Sequence, residues 1–374
     1  MHRPRDAVST VGVRVFDMHE SDMTDLFITL IQWVEYQRVG MLFVVCIGLG
    51  AFGAWLVAGI PFREHLLDSP NERSSHTTPT PVGGGVGILA AFFLGGLTLR
   101  IPTTFLFGAL LISTVSFYGD YFRISVKFRL FVHLISALIV LFPFLPRLSS
   151  HFAMSYLGFS PLLFFLILPL IVLFWMGTAN FYNFMDGING MAGLSGVIAF
   201  GMLGLHAGND PTADALRMSL SRLSICIAMA CLGYLPFNMP RARVFMGDGG
   251  SIFLGFVFSA LAVVVGRNYI EMVCYAALLF PFYADTLTTL VVRLRDHERL
   301  TTAHRRHLYQ ILVNHYGMVH WKVTALYGAL QFTIGMIALR IIPLGVWPVL
   351  FFLTFCMAGF TFVSMRMRKR MKLL

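Results

Sequence analysis

From Gly40 onward, apolar runs of about 20 residues follow one another with only short polar breaks, and this feature most narrows what the chain can fold into. A helix needs roughly 20 mainly apolar residues to cross the hydrocarbon of a bilayer. Hydrophobic residues fill 57% of the 374 positions and charged ones 12%, with a mean hydropathy of +0.75, so no water-facing surface can be assembled from this composition. A membrane-spanning strand barrel would show segments of about ten residues in which polar and apolar positions alternate. The runs over 132–145 and 253–265 are continuous instead. The expected class is all-α, a polytopic helical membrane protein with about 10–11 transmembrane helices.

Eleven candidate spans can be marked, near 41–62, 82–99, 102–118, 129–148, 158–178, 188–206, 220–237, 251–266, 270–292, 320–340 and 345–364. Their odd-numbered connections (63–81, 119–128, 179–187, 238–250 and 293–319) and the C-terminal tail must share one membrane face. That face holds 18 of the 28 lysines and arginines, including Arg129 at a helix mouth and Lys322 just past the last connection. By the positive-inside rule it is cytoplasmic, which also accounts for the net charge of +10 without a nucleic-acid partner. The organisation expected is an N-terminal extension over 1–40, a single transmembrane domain over 41–364 and a basic tail over 365–374. The extension has no apolar core of the kind a cleaved signal requires, and Met18, Met23 and Met41 are alternative starts. Cys46, Cys226, Cys231, Cys274 and Cys356 all lie within apolar runs, where they read as small core residues rather than metal or disulfide partners. The tail cations read as a topology anchor, with anionic headgroups as a second partner.

Five polar blocks interrupt the apolar pattern, all on the charge-rich face. The first runs through Arg73, Ser74, Ser75 and His76 to Pro79, Pro81 and the glycines 83–85. Three glycines suit either close helix packing or close approach to a ligand phosphate. The second places Asp120 before Arg123, Lys127 and Arg129, an arrangement open to an anion, to a metal with its anion, or to a solvated loop of topology charges. In the third, Asn180, Asn183, Asp186 and Asn189 recur every three residues between two apolar helices and supply the oxygen donors preferred by a hard cation. An ionisable group at membrane depth is costly, which favours function over plain polar packing. The fourth surrounds Asp248 with Gly247, Gly249 and Gly250 at a helix start, where either a phosphate with its metal or a simple helix cap by Asp248 fits. The fifth is His304, Arg305, Arg306 and His307, with Asp285 upstream. Its paired arginines favour a phosphate clamp, whereas a zinc site lacks a third ligand at suitable spacing. Acids for a divalent cation, cations for phosphates and glycines for close approach on one face point to a phosphate-transferring membrane enzyme.

In five ordered blocks the chain resembles the polyprenyl-phosphate N-acetylhexosamine-1-phosphate transferases. They are Arg73-Ser-Ser-His76 with its prolines and glycines; Asp120 through Ile124-Ser-Val-Lys127-Phe-Arg129; Asn180-x-x-Asn183-x-x-Asp186-Gly187; Phe245-Met-Gly-Asp248-x-Gly-Ser251; and His304-Arg-x-His307. The Ser-Ser-His and His-Leu-Tyr-Gln spellings look most like the bacterial O-antigen branch. The resemblance implies transfer of a sugar 1-phosphate from a UDP-N-acetylhexosamine to undecaprenyl phosphate, with Mg²⁺ or alternatively Mn²⁺, at the cytoplasmic interface of the bacterial inner membrane. It implies catalytic roles for Asp120, Asp186, Asp248 and His307 and metal binding by Asn183 and Asp248. Substrate binding would fall to Arg73, His76, Lys127, Arg129, Asn180, Asn189, His304, Arg305 and Arg306. Part of the family implies a homodimer.

The chain departs from the family spelling at Gly119, which replaces the first acid of an aspartate pair, at Arg123, which replaces an acid, and at Asn189, which replaces an aspartate. An acid needed only to deprotonate the acceptor would be dispensable, because a phosphate monoester with a second pKa of about 6 is already mostly dianionic at neutral pH. An acid that positions metal or lipid would be missed. The alternative readings are a weakened member acting as a membrane scaffold and, less favoured for want of an internal repeat, a polytopic transporter.

Overall fold

The computed structural model of the chain describes residues 20–59, 67–68, 78–122, 124–153, 161–299 and 304–371, with all their side chains except those of 20–36, 151–153, 161–164 and 371. The chain divides into two units, Met1–Met41 and Leu42–Leu374. The first carries the beginning of α1 (Glu20–Gly59), and everything that follows concerns the second. Its further helices are α2 (Val86–Thr98), α3 (Thr103–Tyr121), α4 (Val126–Leu141), α5 (Leu145–Ala153), α6 (Pro161–Met185), α7 (Met191–Gly208), α8 (Ala215–Asn238) and α9 (Asp248–Val265). They continue with α10 (Tyr269–Ala276), α11 (Phe280–Arg295), α12 (Leu308–Asn314), α13 (His320–Arg340) and α14 (Val346–Met371).

The protein is a polytopic helical membrane protein, and each of the eleven expected spans falls on helix. Among the described residues, nine segments are long and apolar enough to cross a bilayer, some of them joining two short helices end to end. The other two expected spans are α2, with only 13 residues, and α3, whose 19 residues end in a polar turn bearing Asp120. Among the described residues, strand structure is confined to an antiparallel ladder of β1 (Leu67–Asp68) on β2 (Thr80–Pro81) and a single bridge between Val82 and Phe245.

Local chemistry sets several helix starts. Ser125 accepts the N–H of Phe128 at 3.2 Å to open α4, Asp214 accepts that of Arg217 at 2.7 Å to open α8, and Asn268 accepts from Ile270 and Glu271 to open α10. The core is built around α9, a helix apolar on every side and buried along its length. It packs against α3 and α6, and Gly255 lets α6 come so close that an added Cβ would lie 2.6 Å from the Thr178 carbonyl oxygen. At the other extreme, α14 packs one side on the bundle through half-buried residues such as Leu353 and Phe360 and leaves its other apolar side chains, among them Phe351, Phe355 and Phe362, exposed to lipid.

Helix ends are tied together at both faces of the bundle. On one, Arg147 donates to the Val264 carbonyl at 3.2 Å and to Asp214 at 2.6 Å. Buried Arg217 reaches Glu271 at 3.0 Å, Tyr275 at 3.1 Å and the Val265 carbonyl at 2.5 Å. Asp210 adds a contact to Arg217 and another to Arg267. A buried arginine persists only when neighbours satisfy its donors, so this network holds the α7–α8 and α9–α10 connections together. On the opposite face, the end of α3 and the starts of α4 and α9 meet the end of α6.

Candidate active site

The first turn of α9 organises that second face. A helix start leaves backbone N–H groups without partners, and Gly247, the residue before α9, has no side chain to cap them. Asp120 supplies the cap from the last turn of α3. Its Oδ1 accepts the N–H of Asp248 at 2.9 Å and its Oδ2 that of Gly249 at 3.2 Å. Asp248 therefore does not cap its own helix, and its carboxylate points to other elements. Arg129 Nη1, from the first turn of α4, donates to Asp248 Oδ2 at 3.0 Å. Asn183 Nδ2, from the last turns of α6, donates to Asp248 Oδ1 at 2.7 Å and to Ser251 Oγ at 2.9 Å. The Asp248 side chain remains 36% exposed, enough for a ligand to reach it.

The glycines of the first block serve packing at this point. Gly83 and Gly84 donate to the Phe245 carbonyl at 3.1 and 2.8 Å, and Gly85 donates to that of Met246 at 3.1 Å, so the 83–85 segment lies along the strand of chain that leads into α9. A Cβ on Gly85 would sit 2.7 Å from the Cα of Gly250. Gly247, at φ +82°, turns the chain where a side chain would strike Asp120.

Charge at the site is unbalanced. Burial pushes the Asp120 carboxyl up to about 7, with Asp248 adding to the rise against the two backbone donors and Arg129. Asp186, just beyond α6, is held well above the usual carboxylate range by burial and then by Asp248 and Asp120. Three acids thus share one field, with Arg129 as the cation bonded directly among them.

A second helix start receives its cap in the same way. Asp285, fully buried on α11, accepts the N–H groups of Leu308 at 2.7 Å and Tyr309 at 3.1 Å, the Tyr327 hydroxyl at 2.7 Å and the Thr289 hydroxyl at 3.2 Å. His307 Nδ1 lies 3.6 Å away from it. Asp285 so fixes α12 and the preceding segment 304–307. Tyr309 donates to the Phe184 carbonyl at 2.9 Å, which seats α12 on the connection that carries Asn183 and Asp186. Burial pushes His304 down to about 4, with His307 and nearby arginines contributing, so it is neutral at physiological pH. Arg306 pairs with Asp296 at 2.6 Å and with Glu298 at 2.5 Å.

The structure brings Asp120, Arg129, Asn183 and Asp248 into one bonded cluster with Asp186 in its field. Lys127 is exposed in the first turn of α4. Asn180 donates to its own helix at Met176. Asn189 links three connections: its N–H meets His320, its side chain donates to the Pro240 carbonyl and its carbonyl accepts from Thr324. Arg73 and His76 lie outside the described residues, as does Arg123. Sequence reasoning gave no role to Ser251 or Tyr309 and left Asp285 as an upstream acid. A lone carboxylate in an apolar helix was the signal for Asp285, because such a group must find several donors.

Among curated proteins, the chain is 24% identical over 317 residues to a probable undecaprenyl-phosphate N-acetylglucosaminyl 1-phosphate transferase of Bacillus subtilis (strain 168), covering 79% of this chain and 83% of that one. It is 28% identical over 320 residues to the phospho-N-acetylmuramoyl-pentapeptide-transferase of Streptococcus gordonii, covering 80% of this chain and 95% of the relative. With the decaprenyl-phosphate N-acetylglucosaminephosphotransferase of Mycobacterium leprae the identity is 26% over 306 residues, 74% of this chain and 76% of the other. Residues 102–266 match glycosyl transferase family 4. Over that part, the chain is similar to the family. The part matched to glycosyl transferase family 4 runs from the start of α3 to the end of α9 and contains every member of the Asp248 cluster. The match agrees with the resemblance to polyprenyl-phosphate N-acetylhexosamine-1-phosphate transferases carried by the five blocks.

Proposed function

We propose that this sugar-phosphate transferase moves an N-acetylhexosamine 1-phosphate from a UDP-sugar to undecaprenyl phosphate, as the first membrane step of O-antigen or another cell-envelope polysaccharide. The observation that carries this reading is the cluster at the start of α9, where Arg129 and the Asn183 carboxamide both donate to Asp248, Asp120 caps the same turn and Asp186 shares their field. In the reaction, an oxygen of the acceptor phosphate bonds to the sugar-bearing phosphorus of the donor. The bridge to the uridine-bearing phosphate breaks, and the electron pair leaves on UMP. One phosphoanhydride is made for each one broken, so the protein's task is to bring anions together and hold them in line.

Hard oxygen donors in this number fit Mg²⁺ or Mn²⁺. Among the described residues no three His, Cys, Asp or Glu side chains form a metal cage. That suits an ion which ordinarily takes one or two carboxylates and completes its shell with substrate phosphates and water. Asn183 and Asp248 would hold it, and it would screen the pyrophosphate charge. Asp120 keeps the start of α9 capped and aims Asp248. Arg129 and Lys127 draw phosphate to the mouth of α4, while His304 and His307, in the segment fixed by Asp285, face the donor. Asp186 orients the nucleotide or sugar.

An apolar groove of about 670 Å³ supports a lipid acceptor. It runs between α4 and α6 from Leu134 and Met176 to Leu145 and Phe165. Met176 lies seven residues, about 10 Å of helix, from Asn183, so a polyprenyl tail in the groove would present its phosphate to the cluster. The cytosolic nucleotide sugar and the bilayer-bound acceptor then meet at the charge-rich face, which this reading places in the cytoplasm of a bacterial cell.

The test is mass spectrometry of the lipid products after incubating purified protein with undecaprenyl phosphate, Mg²⁺ and a panel of UDP-N-acetylhexosamines. A product heavier by one N-acetylhexosamine phosphate is expected, and the donor that yields it names the sugar. Gly119 favours a second reading, a scaffold that has lost turnover. Absence of product with every donor from well-folded protein would select it.

A further inference from the structure

The ends of α11 and α14 and the segment before α12 enclose a cavity of about 560 Å³ that none of the acids of the α9 cluster lines. Six cations line it: Arg295, Arg305, Arg306, Arg366, Arg368 and Lys369. Against them stands one acid, Asp296, already paired with Arg306. The rest of the lining is apolar and includes Phe362, 61% exposed, and Met365, 39% exposed, both on the lipid-facing helix α14. Positive charge thus crowns an apolar wall that opens sideways to the bilayer.

Cations at a helix C-terminus are ordinary, since they complement the helix dipole and anchor topology. Arg366, Arg368 and Lys369 alone would need no other reading. Arg305 and Arg306 stand just before the start of α12, an end where cations do not complement the helix dipole, and they converge on the same cavity. A topology anchor has no use for that convergence or for the apolar floor. Basic pockets between membrane helices at the cytoplasmic surface fit the head groups of anionic lipids.

We propose that this cavity binds the phosphate head group of one anionic phospholipid of the surrounding leaflet, with its acyl chains against Phe362 and Met365. The site is bonded to the segment 304–307. Arg368 Nη2 donates to the Thr289 hydroxyl at 2.9 Å, and that hydroxyl lies 3.2 Å from Asp285 Oδ1 and 3.3 Å from the Arg306 carbonyl. A head group that holds Arg306 and Arg368 therefore steadies the segment that Asp285 caps. Binding does not depend on sugar transfer, so the two assignments stand or fall separately.

The experiment is native mass spectrometry of the full chain released from nanodiscs that contain phosphatidylglycerol and phosphatidylcholine with matched acyl chains. One phosphatidylglycerol retained in preference to phosphatidylcholine is expected. Retention should fall in Arg366→Gln/Lys369→Gln, at about fivefold for each cation removed. Both side chains are exposed, and a melting temperature within the wild-type range confirms that the variant folds; Lys369→Gln alone replaces it otherwise. Equal retention of the two phospholipids, or undiminished retention by the variant, would overturn the proposal. So would displacement of the lipid by inorganic phosphate, which marks a free-anion site. Preferential capture of undecaprenyl phosphate at equal mole fraction would assign the cavity to the acceptor instead.

Discussion

Asp120 uses both carboxylate oxygens on the backbone of α9, yet its carboxyl sits near pH 7 because burial and Asp248 outweigh those donors. A carboxyl raised in the folded state binds more protons than in the unfolded chain between about pH 4 and 7, so it costs stability progressively as pH rises through that window. A divalent cation held at the cluster as proposed would reverse the sign, since it would bind the deprotonated acids. The melting temperature of purified protein should therefore rise more on adding Mg²⁺ at pH 8 than at pH 6, and Asp120→Asn should flatten the difference. Equal shifts at the two pH values in the wild type would remove the link. At the neighbouring position the missing acid leaves room, because among the described residues a Cβ on Gly119 would meet Ile124 alone, at 3.7 Å. Gly119→Asp is expected to fold with an unchanged melting temperature and to alter turnover by less than about tenfold. A gain of a hundredfold would show that the natural chain is a weakened enzyme.

At the scale of elements, α6 and α9 approach as closely as backbone allows. On α9, an added Cβ at Gly255 would meet Thr178, Tyr182 and Ala179 within 2.8 Å, whereas one at Gly177 on α6 would meet nothing within 4 Å. Gly255→Ala should therefore lower stability by about 1–3 kcal/mol in thermal unfolding, and Gly177→Ala should not. Much of this level was legible in the sequence. Eleven apolar runs gave the helices, because length and hydropathy suffice when lipid is the solvent. Asp120, Asn183 and Asp248 stood out as polar groups at the ends of those runs. Their bonding did not, since the cap by Asp248 that the spacing also allowed gives way to one from Asp120, 128 residues away in sequence. Asp285 was visible as a buried acid, but its hold on α12 depends on a contact between elements that spacing does not encode. Arg217, three residues before the apolar run that begins at 220, is buried, and its contacts with Asp210 and Glu271 explain how.

For the molecule as a whole, the concentration of cations on one face sets the expected orientation. In a background without native cysteines, Arg241→Cys and Asn314→Cys should react with a membrane-impermeant maleimide in inside-out vesicles. Asn209→Cys and Leu344→Cys should react in right-side-out cells. The reverse pattern would put the Asp248 cluster outside the cytoplasm, away from nucleotide sugars. Cluster, groove and orientation together make lipid-dependent turnover the deciding property. It is measured as UMP released by purified protein from the donor sugar with undecaprenyl phosphate, with and without Mg²⁺, in the wild type and in Asp248→Asn. Release that needs both lipid and Mg²⁺ and falls about a hundredfold in the variant is the expected result. Undiminished release by Asp248→Asn, or none from folded wild-type protein with any donor, would contradict it.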